Sequence, residues 1–455
     1  MRYSYCRGDW MFTKVRLKNF RSFDNIEFDL TGRGGVPKHL AIIYGENGAG
    51  KSNLMSAFVL LSALLKTMNV RDTYEKLLNR KSIFNDESLE QALRQSLMSG
   101  LRDIQAIISD YSMIGSDGNI VAEYEFSIGG STGIYSIELG EREIIHERLE
   151  YLLNRRRGIY FDCTKDSLSI NSAIVLDKDS FADIKAAAKR FWGEHSILAI
   201  ILHEVRDKSR TFAQENISEN FYDVIAEFKM LSCYLGIGSR RWNRIVAPFQ
   251  ILKDPIDGEI SKQKERQLDL AEKIFGSFFS GLDSNIKGVN YKRSYTDQKI
   301  DYQLFFEKFV AGSYRSIPFT KESTGNHQLL RVLCYILCAC LGGTVIIDEA
   351  DSGIHDALFQ KMIRGIWKQI NGQLIITTHN TMLMEADLPR DSIYVISEDA
   401  PGSKIIRCIS DYEKRTYIGN NIRNKYLNSE YGGLPEGKSI DFSALLDLIS
   451  KELGE

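Results

Sequence analysis

The sequence predicts an α/β fold in which a mixed, largely parallel sheet with flanking antiparallel strands is interrupted by a helical insertion. Three observations predict it. A short apolar strand, "HLAIIY" (39–44), leads through the glycine-rich turn "GENGAGKS" (45–52) into an apolar helix. A second apolar run, "TVIID", ends in the adjacent acids Asp348 and Glu349. Further greasy stretches, "QLIITTH" and "SIYVISE", alternate with helical patterns, as strands buried on both faces of a parallel sheet do.

Taken in order, residues 12–30 alternate apolar and polar side chains, which predicts strand. The stretch after residue 51 reads as helix, and 73–112 is charged and helical in pattern. Residues 119–152 read as several antiparallel strands joined by glycine turns. From about 178 to 285 the pattern turns helical, as in "FADIKAAAKRFW", "ENFYDVIAEFKMLSCYLGI" and "KQKERQLDLAEKIFGSFFSGL". Strand patterns return at "VNYKRSYTDQKIDYQLFFEKFVAGSYRSIPF". The expected organisation is therefore 1–175, a helical insertion over 176–285, and 286–455 completing the sheet.

Composition excludes little. With 43% hydrophobic and 26% charged residues the chain is an ordinary globular protein, and a net charge of -2 makes no bulk case for nucleic acid. Local basic clusters at 154–158 ("NRRRG") and 238–244 ("GSRRWNR") leave nucleic acid open, the second carrying Trp242 for stacking. A solvated charged face is the plainer reading of each. Seven cysteines form no CxxC pair, and Cys334, Cys338 and Cys340 read as small buried hydrophobes. With no signal peptide and no apolar stretch long enough for a bilayer, the expectation is a cytoplasmic protein without a membrane partner.

The chemistry lies in the turn. "GENGAGKS" matches G-x-x-x-x-G-K-[ST] in its required strand–loop–helix setting. Gly45, Gly48 and Gly50 let the backbone turn N–H groups inward, so the segment Gly45, Glu46, Asn47, Gly48, Ala49, Gly50, Lys51, Ser52 and Asn53 is the expected cradle for the phosphates of ATP. Lys51 would reach the outer phosphates, and Ser52 with Asp348 would hold Mg²⁺. Glu349 is the expected base for the attacking water. His379, ending "QLIITTH", is placed to meet the γ-phosphate or orient that water. Ser323 and Gly325 open a long apolar helix just upstream of Asp348. A serine there is ordinarily an N-cap; the alternative is a helix N-terminus aimed at a second nucleotide's γ-phosphate.

Together "LKNFRSF", "GENGAGKSNL", "ESTGNHQLL", "VIIDEADSGIH" and "TTHN" resemble the P-loop ATPases of ABC type in the SMC, RecF and OLD-nuclease group. The likeness is greatest to compact bacterial ATPases of phage-defence and abortive-infection systems, whose pattern continues in "EREIIHERLEYL" and "NNIRNKYLNSEYGGLP". The resemblance covers both outer parts, roughly 11–160 and 285–435. It implies a homo-oligomer, a head-to-head dimer with Lys51 and Ser52 of one subunit facing Ser323 and Gly325 of the other, and slow hydrolysis. It places "DSGIH" as the D-loop at that seam and Arg21 near the nucleotide. It also implies an anti-phage role through a separate effector protein, a nuclease, answering a phage-protein trigger.

Two departures bear on this. No Gln lies between Ala106 and Ala213, so the Q-loop contact would fall to Glu123 or Glu125, or to Gln91, Gln95 or Gln105. Only about 75 residues follow His379 and hold no E…DxD set, so no nuclease domain is expected within the chain. Two rival readings stand beside the sensor. One is a RecF-like repair ATPase binding DNA. The other is an RNA-cleaving enzyme using Arg190 and His195, whose R-x4-6-H spacing resembles HEPN ribonucleases.

Overall fold

A computed structural model describes residues 10–79, 102–208, 216–237, 240–400, 402–412, 421–434 and 442–453. Three sheets organise it. The first is antiparallel, in the order β2 (Phe23–Asp29), β1 (Trp10–Phe20), β4 (Ile120–Ile128), β5 (Ser131–Leu139), β6 (Ile144–Leu153), β7 (Arg156–Thr164) and β8 (Leu168–Ile170). The second runs β10 (Arg240–Arg244), β9 (Ser232–Ile237), β15 (Thr344–Ile347), β16 (Gln373–Thr377), β3 (Leu40–Tyr44), β17 (Ile393–Ala400) and β18 (Ser403–Cys408). Its five inner strands are parallel and the two edges antiparallel. In the third sheet β13 (Lys299–Val310) pairs β12 (Ile286–Tyr295), β11 (Asp257–Ser261) and β14 (Ser313–Pro318).

The helix Lys51–Leu64 is buried on every side from Leu54 to Leu64, because sheets cover it on both faces. Phe12 of β1 meets its Phe58 edge-on at 4.9 Å, and the Tyr124 hydroxyl donates to Ala57 O at 2.6 Å. Tyr394 of β17 likewise donates to Asp29 O of β2 at 2.7 Å, tying the first sheet to the second. Cys334 and Cys338 are buried, as expected of small hydrophobes, whereas Cys340 is only half-buried; Cys163, Cys233 and Cys408 are buried as well. Cys6, Gln91 and Gln95 lie outside the described residues. Among the described residues no single helix is long and apolar enough to cross a membrane.

The helical reading of 176–285 requires correction. Helices do occupy Lys178–Phe191, Ile197–Lys208, Glu219–Lys229 and Arg266–Leu282. "SCYLGI", however, is strand β9 rather than a continuation of the preceding helix, and β10 and β11 also fall in this segment. The helix closes at Met230, whose N–H bonds Glu227 O, and Cys233 and Leu235 then turn into the core beside β15. The edge of β15 needs a hydrogen-bonding partner, and that tertiary demand outweighs local helical propensity. The central sheet thus draws on all three expected divisions of the chain.

Gln373, wholly buried at the start of β16, stitches two sheets. Its Oε1 accepts the Phe12 N–H at 2.9 Å, and its Nε2 donates to Phe12 O and Lys38 O. Gln373→Leu orphans all three backbone groups and should cost about 3 kcal/mol or more in urea unfolding; a loss under about 1 kcal/mol would refute the role.

Glu147 on β6 is fully buried, accepting the Ile197 N–H at 2.7 Å and the Tyr135 hydroxyl at 3.0 Å. Burial nevertheless pushes its pKa from 4.5 up to about 7. A folded-state value above the unfolded one means that this group's stabilisation is complete below pH 4.5 and is lost as pH rises through about 7. Between about pH 5 and about pH 8 the wild type should lose up to about 3 kcal/mol that Glu147→Gln does not. Parallel urea melts of the two proteins check it.

Candidate nucleotide site

Because β15, β16 and β3 are adjacent and parallel, their C-terminal ends open on one edge of the sheet, the place where α/β folds bind ligands. The glycine turn leaves β3 there, the acidic pair leaves β15, and the Thr377–Asn380 segment leaves β16 between them. Gly48 and Gly50 have φ of 85° and 105°, in the left-handed region that only glycine adopts readily. A Cβ on Gly50 would also stand 2.7 Å from the Phe23 ring, so the β1–β2 turn rests directly on the cradle. Asn53 completes that contact, donating to Ser22 Oγ at 2.8 Å.

Asp348 is only 5% exposed, at the end of a greasy strand. Burial raises its pKa, opposed first by hydrogen bonds from Ser52 and Thr377 and then by the charge of Lys51. Thr377 Oγ1 donates to Asp348 Oδ1 at 2.6 Å and accepts the Glu349 N–H at 2.7 Å. Lys51 is 7% exposed, and its Nζ donates to Gly45 O at 2.8 Å and Glu46 O at 3.0 Å. Burial lowers its pKa, while Asp348, Glu349, Asp351 and Glu46 work to raise it. The greasy strand can end in two acids because hydroxyls and the nearby Lys51 charge compensate the Asp348 carboxyl while the Glu349 side chain faces solvent.

The exposed members form the outer rim. Glu349 is solvent-facing and holds φ of 48°, a strained conformation for a non-glycine residue, sustained by its bonded N–H. His379 is also exposed, and its N–H reaches Asp351 Oδ2 at 3.3 Å. Packing around its ring and then the Lys51 charge lower its pKa, favouring the neutral imidazole near pH 7. Asn380 is buried, its side chain donating to Asp356 O and capping Met382 N–H, which anchors the histidine loop. Glu46 is half-buried, Asn47 exposed and Ala49 buried.

Ser323 and Gly325 stand apart from this group. Ser323 is an exposed N-cap accepting the Asn326 N–H, and no hydrogen bond joins either residue to Lys51 or Ser52 within the chain. A Cβ on Gly325 would lie 3.0 Å from Gly353 O, so the start of this helix abuts the "DSGIH" loop. Arg21 sits in the β1–β2 turn with φ of 52°, its guanidinium 4.8 Å from the Tyr111 ring centre. It contacts Tyr111, and it is the neighbouring Ser22 and Phe23 that touch the cradle.

Several expectations fail on geometry. Glu123 and Glu125 cannot stand in for the Q-loop glutamine, because both are engaged in ion pairs with Arg16 on β1. Gln105 is exposed on the helix Ile104–Tyr111. His195 is buried and packs beside Phe191, while Arg190 is exposed, which leaves no open cleavage pair. Trp242 is no stacking platform: it packs on the core under Arg102, and Arg244 is tied to Ser62 Oγ and Lys229 O. In the other basic cluster Arg157 pairs with Glu150 at 2.6 Å.

Ser52 and Asp348 already share a hydrogen bond and present hard oxygen donors, a set suited to Mg²⁺, which takes one or two protein oxygens and completes its shell with phosphates and water. Among the described residues no group of three His, Cys, Asp or Glu side chains forms a site for a metal held by protein alone. Thr377 and Asn380 were not singled out by the sequence, and Asp351 entered only as the first residue of the "DSGIH" loop. "TTHN" contained the signal, two hydroxyls beside a histidine at a strand end, but only strand order places Thr377 between the cradle and the acids.

This fold and site define a P-loop ATPase of ABC type, an enzyme that hydrolyses ATP. Residues 40–385 match the family described as "AAA domain, putative AbiEii toxin, Type IV TA system", and the chain belongs to that family. A relative named "ATP/GTP phosphatase", from Helicobacter pylori (strain ATCC 700392 / 26695), is 20% identical over 440 residues, covering 92% of this chain and 99% of its own length. An SMC head bound to the C-terminal winged-helix domain of ScpA is 16% identical, with 87% of this chain and 96% of that one covered and a TM-score of 0.45. The recombination mediator RecF with ATP is 11% identical, with 81% and 93% covered and a TM-score of 0.31.

Thr377→Val would leave Asp348 Oδ1 and the Glu349 N–H unpaired while keeping side-chain volume. ATP turnover should fall about tenfold to a hundredfold, with the melting temperature as the check on folding. Unchanged turnover would remove Thr377 from the site.

Proposed function

We propose that this ATPase binds ATP with Mg²⁺ at Lys51, Ser52 and Asp348, and works as a head-to-head homodimer that senses or scaffolds within a bacterial defence or toxin–antitoxin system. The observation that carries the nucleotide half is the meeting of Lys51, Ser52, Thr377 and Asp348 at one sheet edge. Backbone N–H groups of the Gly45–Gly50 turn and the N-terminus of the helix Lys51–Leu64 cradle phosphate oxygens, and Lys51 Nζ compensates the outer ones. Magnesium, when bound, supplies positive charge to the β- and γ-phosphates. Glu349, exposed and aimed by its bonded N–H, takes a proton from the attacking water. Neutral His379 orients that water or the γ-phosphate, and Arg21 flanks the cradle from the β1–β2 turn.

The dimer half rests on the exposed rim. Glu349, His379, Ser323, Ser352 and Gly353 share solvent-facing positions, and the Ser323 side chain caps its own helix rather than bonding its own cradle. A second copy supplying that helix end would complete the nucleotide's enclosure. The family description supports a toxin–antitoxin or defence setting; effector control by a separate nuclease, a phage-protein trigger and a cytoplasmic location complete the proposal.

Glu349→Gln should retain ATP and favour the dimer while turnover falls by about a hundredfold or more. Lys51→Ala should instead weaken nucleotide binding itself. Single-turnover hydrolysis with light scattering separates the two, and full turnover by Glu349→Gln, or undiminished ATP affinity in Lys51→Ala, would overturn the assignments.

A further inference from the structure

The C-terminal segment Asn421–Leu434 touches both halves of the site from behind, a placement that phosphate and metal chemistry do not explain. At one end Gly433 holds φ of 76°. A Cβ there would lie 2.5 Å from Val395 Cγ1, 3.1 Å from Ile396 O and 3.5 Å from Gly45 Cα. A Cβ on Gly45 would meet the same Ile396 O at 3.1 Å. Two glycine backbones and the β17 carbonyl therefore close on one another at the first residue of the cradle, with no room for a side chain.

The Tyr426 ring stands 5.7 Å from Tyr44, the last residue of β3, and its hydroxyl donates to Gly433 O at 3.1 Å. The Tyr44 hydroxyl in turn donates to Asn380 O at 3.0 Å. At the other end Arg423 donates from Nε to Thr381 Oγ1 at 3.1 Å and pairs with Glu385 at 3.3 Å. Thr381 follows Asn380 and His379 directly. Tyr412 fastens the segment to the sheet, donating to Tyr431 O at 3.1 Å with the two rings 5.2 Å apart.

We propose that Asn421–Leu434 is a positioning element of the nucleotide site, setting the cradle through Gly433 and the histidine loop through Arg423. This rests on the nucleotide reading above and deepens it. The two contacts act on different functions. Gly433 bears on Gly45, which shapes the phosphate-binding turn, so disturbing it weakens nucleotide binding. Arg423 bears on the loop that aims His379, so disturbing it slows the chemical step while ATP still binds. Displacements well under an ångström at a reacting group are felt in rate.

The experiment measures ATP affinity by calorimetry and kcat at saturating ATP, with Mg²⁺, on the full chain. Gly433→Ala should weaken ATP binding about tenfold while kcat changes less than about twofold; Arg423→Gln should show the converse, kcat down about tenfold with affinity held. Gly365→Ala, at an exposed helical glycine with open space around it, controls for the substitution and should leave both values unchanged. Should Gly433→Ala fail to fold, Tyr426→Phe, which deletes only the hydroxyl bonded to Gly433 O, should weaken affinity in the same direction by about twofold to threefold. A folded Gly433→Ala or Tyr426→Phe with wild-type affinity, or Arg423→Gln with wild-type kcat, overturns the proposal. Lys51→Ala separates the two levels. If it binds ATP normally, the nucleotide reading falls; if it loses ATP while the Gly433 and Arg423 variants behave as wild type, only the positioning role falls.

Discussion

The carboxyl group of Asp348 is the constraint around which the site is arranged. It ends a four-residue apolar strand and is almost sealed from water, a position that costs several kcal/mol unless partners replace the lost hydration. Ser52 and Thr377 supply hydroxyl hydrogens, and Lys51 supplies opposite charge. Those partners follow two other strands, Lys51 and Ser52 after β3 and Thr377 at the end of β16, so the carboxylate is satisfied only when β15, β16 and β3 are all in register. A cradle that holds phosphate is, in this sense, also what lets the sheet end in acid.

That dependence accounts for the rigidity built around the edge. The helix following the cradle is buried on all sides between two sheets, and Gln373 pins β16 to β1 through two hydrogen bonds to the Phe12 backbone, with a third to Lys38 O. The β1–β2 turn closes on Gly50 from one side, and Gly433 closes on Gly45 from another. Phosphate-binding loops place backbone N–H groups at fixed positions, and a loop wedged between elements cannot drift from them.

The exposed half has a different character. Glu349 keeps a strained backbone and faces solvent, and His379 sits beside it with a lowered pKa. Ser323 caps its own helix and leaves that helix end at the surface beside Gly353. Groups satisfied within the chain form the inner wall, and those left uncovered form a rim.

The sequence by itself determined the parts that depend on local backbone chemistry. The glycine spacing of 45–50, Lys51 and Ser52 at a helix start, and two acids closing an apolar strand are covalently fixed patterns whose physics needs few neighbours. Tertiary structure alone decided which strands are adjacent, and with that several roles that no spacing encodes. "SCYLGI" became strand because an unpaired edge of β15 outweighed its helical context. Glu123 and Glu125 were claimed by Arg16 across the first sheet, and His195 and Trp242 were drawn into packing. Thr377 gained its place between Lys51 and Asp348 from the order β15–β16–β3. Gly433 reached Gly45, nearly four hundred residues away in the chain, only because the segment folds back over β17. Long-range pairing is set by which surfaces can be buried together, and that information belongs to the whole chain rather than to any window of it.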